Sequence, residues 1–221
     1  MKDLSITQEY MICTVNVKGA LSGYNQKAVA CLIVSGLLEM QLAKCISLND
    51  KKVSVCAELP EDMGYLKPLY NVLNQGKPMK AEKVVETYTI AFTNKNLYEL
   101  VDTLMESLKE ADVVEPVKAG LLGNTDRYVP KKDIVTGIIE KIRAELLEEG
   151  EISEDVIALT ALMDKAGNLK DYFSKYEQKE LKNKIKTIKK SEAGTLAKEM
   201  AQHIEALYMA AIIPVMFSNI Q

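Results

Sequence analysis

Apolar residues recur along this chain at helical spacing far more often than at strand spacing. Leu97, Leu100, Val101, Leu104 and Leu108 fall three or four residues apart over Lys95–Glu110, and that period marks one buried helical face. Ile134, Ile138, Ile142 and Leu146 repeat every four residues within Lys131–Glu149, so a second amphipathic helix is predicted there. Tyr24–Lys44 is apolar nearly all round, which predicts a long helix enclosed by others. Ser5–Val15 opens with Ser5-x-x-Gln8, a reciprocal capping pattern, and then turns apolar. Glu61–Asn74 reads as a short helix stopped by Gly76 and Pro78, and Glu154–Lys165 as a helix capped by Ser153 and closed by Gly167. Ser174-x-x-Glu177 opens another helix to about Lys190, and Glu192–Val215 is a final, mostly buried one.

Two stretches break the helical pattern. Ile46–Val55 alternates on either side of Asn49-Asp50, which predicts a β-hairpin turning there. Val113–Tyr128 holds Pro116, Gly120 and Gly123, so a second hairpin or structured loop is expected. Gly19 and Gly23 bracket a further loop. Helices and hairpins do not alternate as strand–helix–strand units, so a parallel sheet is not expected. The predicted architecture is mostly α: a single domain over residues 1–221, with a central helical core, surrounding amphipathic helices and one or two small β-hairpins.

Composition narrows the function. The 221 residues carry a net charge of −3, are 48% hydrophobic and contain 26 Lys against only two Arg, Arg127 and Arg143. The balance excludes a disordered tail. The acidic pI near 5.5 and the shortage of arginine forks argue against a nucleic-acid partner. The longest apolar stretches, Ala28–Leu38 and Ala206–Phe217, fall short of the roughly 20 residues a membrane span needs. The start, Met1–Glu9, is polar and lacks the apolar core of a signal peptide. Cys13, Cys31, Cys45 and Cys56 have no C-x-x-C spacing and no nearby histidine, so they read as reduced, mostly buried thiols of a cytoplasmic protein.

Reactive signatures are missing from the sequence: no phosphate-cradling glycine loop, no H-E-x-x-H and no G-x-S-x-G. The one histidine, His203, sits mid-helix and reads as a surface or hydrogen-bonded residue. The acidic run Glu145, Glu148, Glu149, Glu151, Glu154 and Asp155 spans a helix end and the next helix start, where acids complement the dipole; it reads as a solvated face rather than a metal site. Neither a cofactor nor a catalytic group is expected. The most distinctive charge feature is Lys170–Lys190, with eight Lys and three acids on a helix striped by Leu181, Ile185 and Ile188. Such a helix is either the solvated face of a bundle or a surface that attracts anionic lipid or an acidic partner.

Several segments, in this order and spacing, resemble the Golgi phosphoprotein 3 family: Leu4–Lys18 (LSITQEYMICTVNVK), Ser35–Leu48 (SGLLEMQLAKCISL), Ile138–Glu148 (IIEKIRAELLE), Leu159–Ile188 and Glu205–Val215 (EALYMAAIIPV). The resemblance covers about Leu4 to Phe217. It implies a mostly helical, non-enzymatic peripheral membrane adaptor that binds phosphatidylinositol 4-phosphate and holds cytosolic tails of membrane proteins. It also implies a headgroup site with an aromatic at the start of the second long helix, which is Tyr24 here. The family's first headgroup arginine falls near Ile33 and its arginine pair around Val101–Met105, where this chain has no base. Lys27, one turn from Tyr24, and Lys109 are the substitute cations, giving Tyr24, Lys27 and Lys109 as candidate lipid-headgroup residues. The lack of the long basic N-terminal extension of eukaryotic members points to a bacterial homologue. The alternative reading is a soluble protein-interaction scaffold with no lipid role, which the missing arginines favour.

Overall fold

The computed structural model describes residues 4–16, 19, 21, 25–89, 94–119, 125–148, 150–190 and 196–211. Among these lie nine α-helices and two small antiparallel sheets, a mostly α-helical single domain as the apolar periodicity predicts. The first helix, α1 (Ile6–Thr14), begins with the full capping box: Gln8 N–H donates to Ser5 Oγ, and Ser5 N–H donates to Gln8 Oε1 at 3.0 Å. The second, α2 (Gln26–Leu42), is the centre of the molecule. Every residue from Ala28 to Met40 is buried, so this helix has no solvent face along its middle. It is enclosed by α1, by α4 (Ala81–Thr89), by α7 (Glu154–Ala166) and by α9 (Leu196–Ala211).

A helix buried on all sides must satisfy its polar groups internally. Glu39 does so by accepting from Tyr65 Oη at 2.8 Å and from the Thr7 backbone N–H. That N–H lies in the first turn of α1, where donors have no intrahelical partner, so a buried carboxylate caps a neighbouring helix. Burial pushes the Glu39 carboxyl upward, and these bonds pull against it.

The first hairpin is β1 (Ile46–Asn49) and β2 (Lys52–Val55), paired Ile46↔Val55 to Asn49↔Lys52. The turn therefore sits on Asp50-Lys51, one residue later than Asn49-Asp50. Both turn residues take positive φ (52° and 62°), as a two-residue turn matched to strand twist requires. A third strand, β3 (Met79–Lys80), adds to β2, and α4 follows it without a break. The sequence reading passed over both elements. A 3₁₀ segment (Glu61–Leu66) runs into α3 (Lys67–Leu73), with Pro68 in its first turn.

The amphipathic helix α5 (Lys95–Glu110) buries Leu97, Leu100, Leu104 and Leu108. It leads into the second hairpin, β4 (Val114–Ala119) and β5 (Thr125–Pro130), paired Val114↔Pro130 to Ala119↔Thr125. Then come α6 (Lys132–Leu147), α7, α8 (Lys175–Lys190) and α9. Gly167 ends α7 at φ 81°, and the Ser174–Glu177 capping box opens α8. Ser153 precedes α7 without capping it; its hydroxyl donates to Glu145 on α6 instead. Cys13, Cys31 and Cys45 are buried and Cys56 is exposed, all four with free thiols. No described helix is long and apolar enough to cross a membrane.

Candidate functional site

Lys109 stands in the last turn of α5, where its charge complements the helix dipole. Its ammonium pairs with Glu106 at 2.7 Å and lies 4.2 Å from the centre of the Tyr128 ring on β5. Bonding to Glu106 raises the Lys109 ammonium above its usual range. Beside Tyr128, Arg127 is exposed on the same strand. The two strand residues approach Gly19, where an added Cβ would lie 2.6 Å from the Tyr128 carbonyl oxygen and 2.9 Å from Arg127 Cβ. Gly19 also has φ +66°, so only a glycine sits at this position against β5 without strain.

These groups border an open cleft of about 550 Å³ between α5 and β5. Tyr98, 61% exposed, stands at its edge, and Leu21, Val101 and Met105 supply apolar lining. Two cations, Lys109 and Arg127, and two acids, Asp102 and Glu106, border it, with Lys109 paired to Glu106. An aromatic rim with paired charges suits a polar–apolar boundary, because a tyrosine offers an apolar body and a polar tip.

The structure treats the three candidate headgroup residues differently. Tyr24 lies outside the described residues. Lys27 is exposed in the first turn of α2, where it is not among the residues bordering this cleft. Lys109 borders it directly. Ile33 is fully buried in α2 and offers no charge to an external ligand. The sequence reading missed Tyr98, Arg127 and Tyr128 as companions of Lys109. Arg127 stood out as one of two arginines, but nothing local links β5 to the end of α5.

The other sequence-marked groups have structural partners. Glu145 accepts from the Ser153 N–H at 2.7 Å, and Asp155 pairs with Lys141 across α6 and α7. Burial acts upward on the Asp155 carboxyl, yet its bonds to Lys141 and Ser153 hold it below the usual range. Glu9 faces this same group, and burial raises its carboxyl to about 7. Among the described residues, no group of three or more His, Cys, Asp or Glu is placed to hold a metal ion. His203 is exposed on α9.

A family model, Golgi phosphoprotein 3 (GPP34), matches residues 6–207 of the 221. The match takes in every described helix up to the middle of α9 and both hairpins. The chain belongs to this family, which is one of membrane-associated, non-enzymatic adaptors. A search of curated proteins finds no match.

Proposed function

We propose that this member of the Golgi phosphoprotein 3 family acts as a single domain over residues 1–221. It is a non-enzymatic peripheral adaptor that docks reversibly on anionic lipid headgroups from the cytosolic side. Phosphatidylinositol 4-phosphate is the headgroup that the family likeness favours, and cytosolic tails of membrane proteins are the cargo. The observation that carries the reading is the α5–β5 cleft, where Lys109 and Arg127 stand beside Tyr98 and Tyr128. Cations next to half-exposed tyrosines are the side-chain set that binds at a headgroup layer. Lys27 extends the proposed docking set beyond the cleft, and Tyr24 joins the set on the family likeness alone.

Vesicle flotation tests it. The full chain is expected to float with vesicles containing phosphatidylinositol 4-phosphate at low salt and to dissociate as salt rises, because exposed charges are screened. Failure to bind any anionic vesicle at low salt contradicts the reading.

One observation favours the soluble-scaffold alternative. Ile33 is buried, and Val101–Met105 presents Asp102 and no base where the family places its arginines. A partner recovered by pull-down, with no vesicle association at any salt, would select that alternative.

A further inference from the structure

The lysine-rich helix does more than spread its charge around a solvated face. Lys182, Lys186, Lys189 and Lys190 on α8 border one recess of about 290 Å³ together with Lys165 on α7, and Ala161 and Ile185 line its apolar part. Among the described residues, two carboxylates serve these five ammonium groups. Asp164 pairs with Lys182 at 2.9 Å. Glu205, reaching in from α9, bridges Lys165 at 3.1 Å and Lys189 at 2.6 Å. Five cations against two anions leave an excess of three.

Lys186 and Lys190 have no ion pair among the described residues. They lie four residues apart, as do Lys182 and Lys186, and like charges at that spacing repel. The dipole at the end of α8 accounts for Lys189 and Lys190 in its last turn. Lys165 stands likewise in the last turn of α7, and it is held in place over the Tyr208 ring at 3.9 Å, with its side chain only 17% exposed. Burial acts upward on the Glu205 carboxyl, but its bonds to Lys189 and Lys165 hold it low, so the bridge stays ionised at neutral pH.

We propose that this recess binds a multiply charged phosphate group, a phosphomonoester or diphosphate, clasped by Lys186 and Lys190 against Lys182 and Lys165. The site is separate from the α5–β5 cleft and draws on different residues. Its lysines are point charges on flexible stems, suited to a compact polyanion rather than to a planar fork acceptor.

The test uses the full chain with inorganic pyrophosphate as probe, titrated calorimetrically at low salt. Saturable binding is expected. The double variant Lys186→Gln/Lys190→Gln, changed only at surface positions, should bind at least tenfold more weakly. Glu205→Gln frees two further ammonium groups and should bind several-fold more tightly. Pyrophosphate binding that is lost in Lys109→Glu and kept in the double variant belongs to the α5–β5 cleft and overturns the proposal, so the failure of one site is told apart from the failure of the other. Vesicles bearing a phosphomonoester headgroup that displace the probe would identify a lipid as its source. If they fail to displace bound probe, the source is a soluble phosphate ester. Absence of saturable pyrophosphate binding, or binding that the double variant leaves unaltered, overturns the proposal.

Discussion

Arg143 illustrates how much one side chain can join. From α6, its guanidinium bonds Glu177 at 2.8 Å, Glu140 at 2.7 Å and the Tyr172 carbonyl at 2.9 Å, while facing the Phe173 ring. The bond to Arg143 first, and then those to the Ser174 backbone N–H and side chain, lower the Glu177 carboxyl to about 2. A lysine offers one point charge where this site uses a planar fork. Arg143→Lys is therefore expected to cost about 1–2 kcal/mol in urea unfolding, with an unchanged slope.

Glu9 makes a second residue-scale prediction. Burial raises its folded carboxyl to about 7; Lys141 opposes, and Asp155, Glu145 and Glu39 add to the rise. The folded state thus holds a proton that the unfolded chain releases at its ordinary 4.5. This contribution is complete below 4.5 and fades as pH climbs to about 7. Glu9→Gln should be neutral at pH 4 and raise Tm by about 2–6 °C at pH 8. An equal shift at both pH values would contradict the assignment.

Among elements, legibility followed how locally each was specified. The capping boxes of α1 and α8 and the leucine stripe of α5 rest on residues within a few positions of each other, and all are where the sequence places them. α4 was missed because its start has no capping side chain. The Ala81 N–H instead donates to the Lys51 carbonyl in the hairpin turn, a contact that no local pattern announces. Its Val84, Val85 and Tyr88 are residues that favour strands when read alone. The α5–β5 cleft was half legible for the same reason: Lys109 could be singled out on its own helix, while Arg127, Tyr128 and Gly19 come from distant segments.

Packing between elements also yields a prediction at Gly36 on α2. An added Cβ would meet Leu69 Cδ2 at 2.7 Å and Leu66 Cδ2 at 3.1 Å. The central helix passes the 3₁₀–α3 segment there with no room to spare. Gly36→Val should destabilise by about 2 kcal/mol or more, despite valine's better helix propensity. Thermal unfolding with a Tm equal to the wild type would refute that tight contact.

At the scale of the whole molecule, a net charge of −3 conceals local cationic regions. The buried α2 provides a rigid axis, so function falls to what the exterior presents. Lys27 at the start of α2 and Lys165 near the end of α7 both act on the buried Cys31 thiol, which burial raises to about 12. The most direct measurement of the adaptor account is flotation of the full chain against Lys109→Glu/Arg127→Glu on vesicles containing phosphatidylinositol 4-phosphate, at low salt and again at about 0.5 M. The account predicts that the wild type floats only at low salt and that the charge-reversed variant, equally folded by circular dichroism, stays in the soluble fraction. Equal flotation of both proteins, or wild-type binding indifferent to salt, would contradict it.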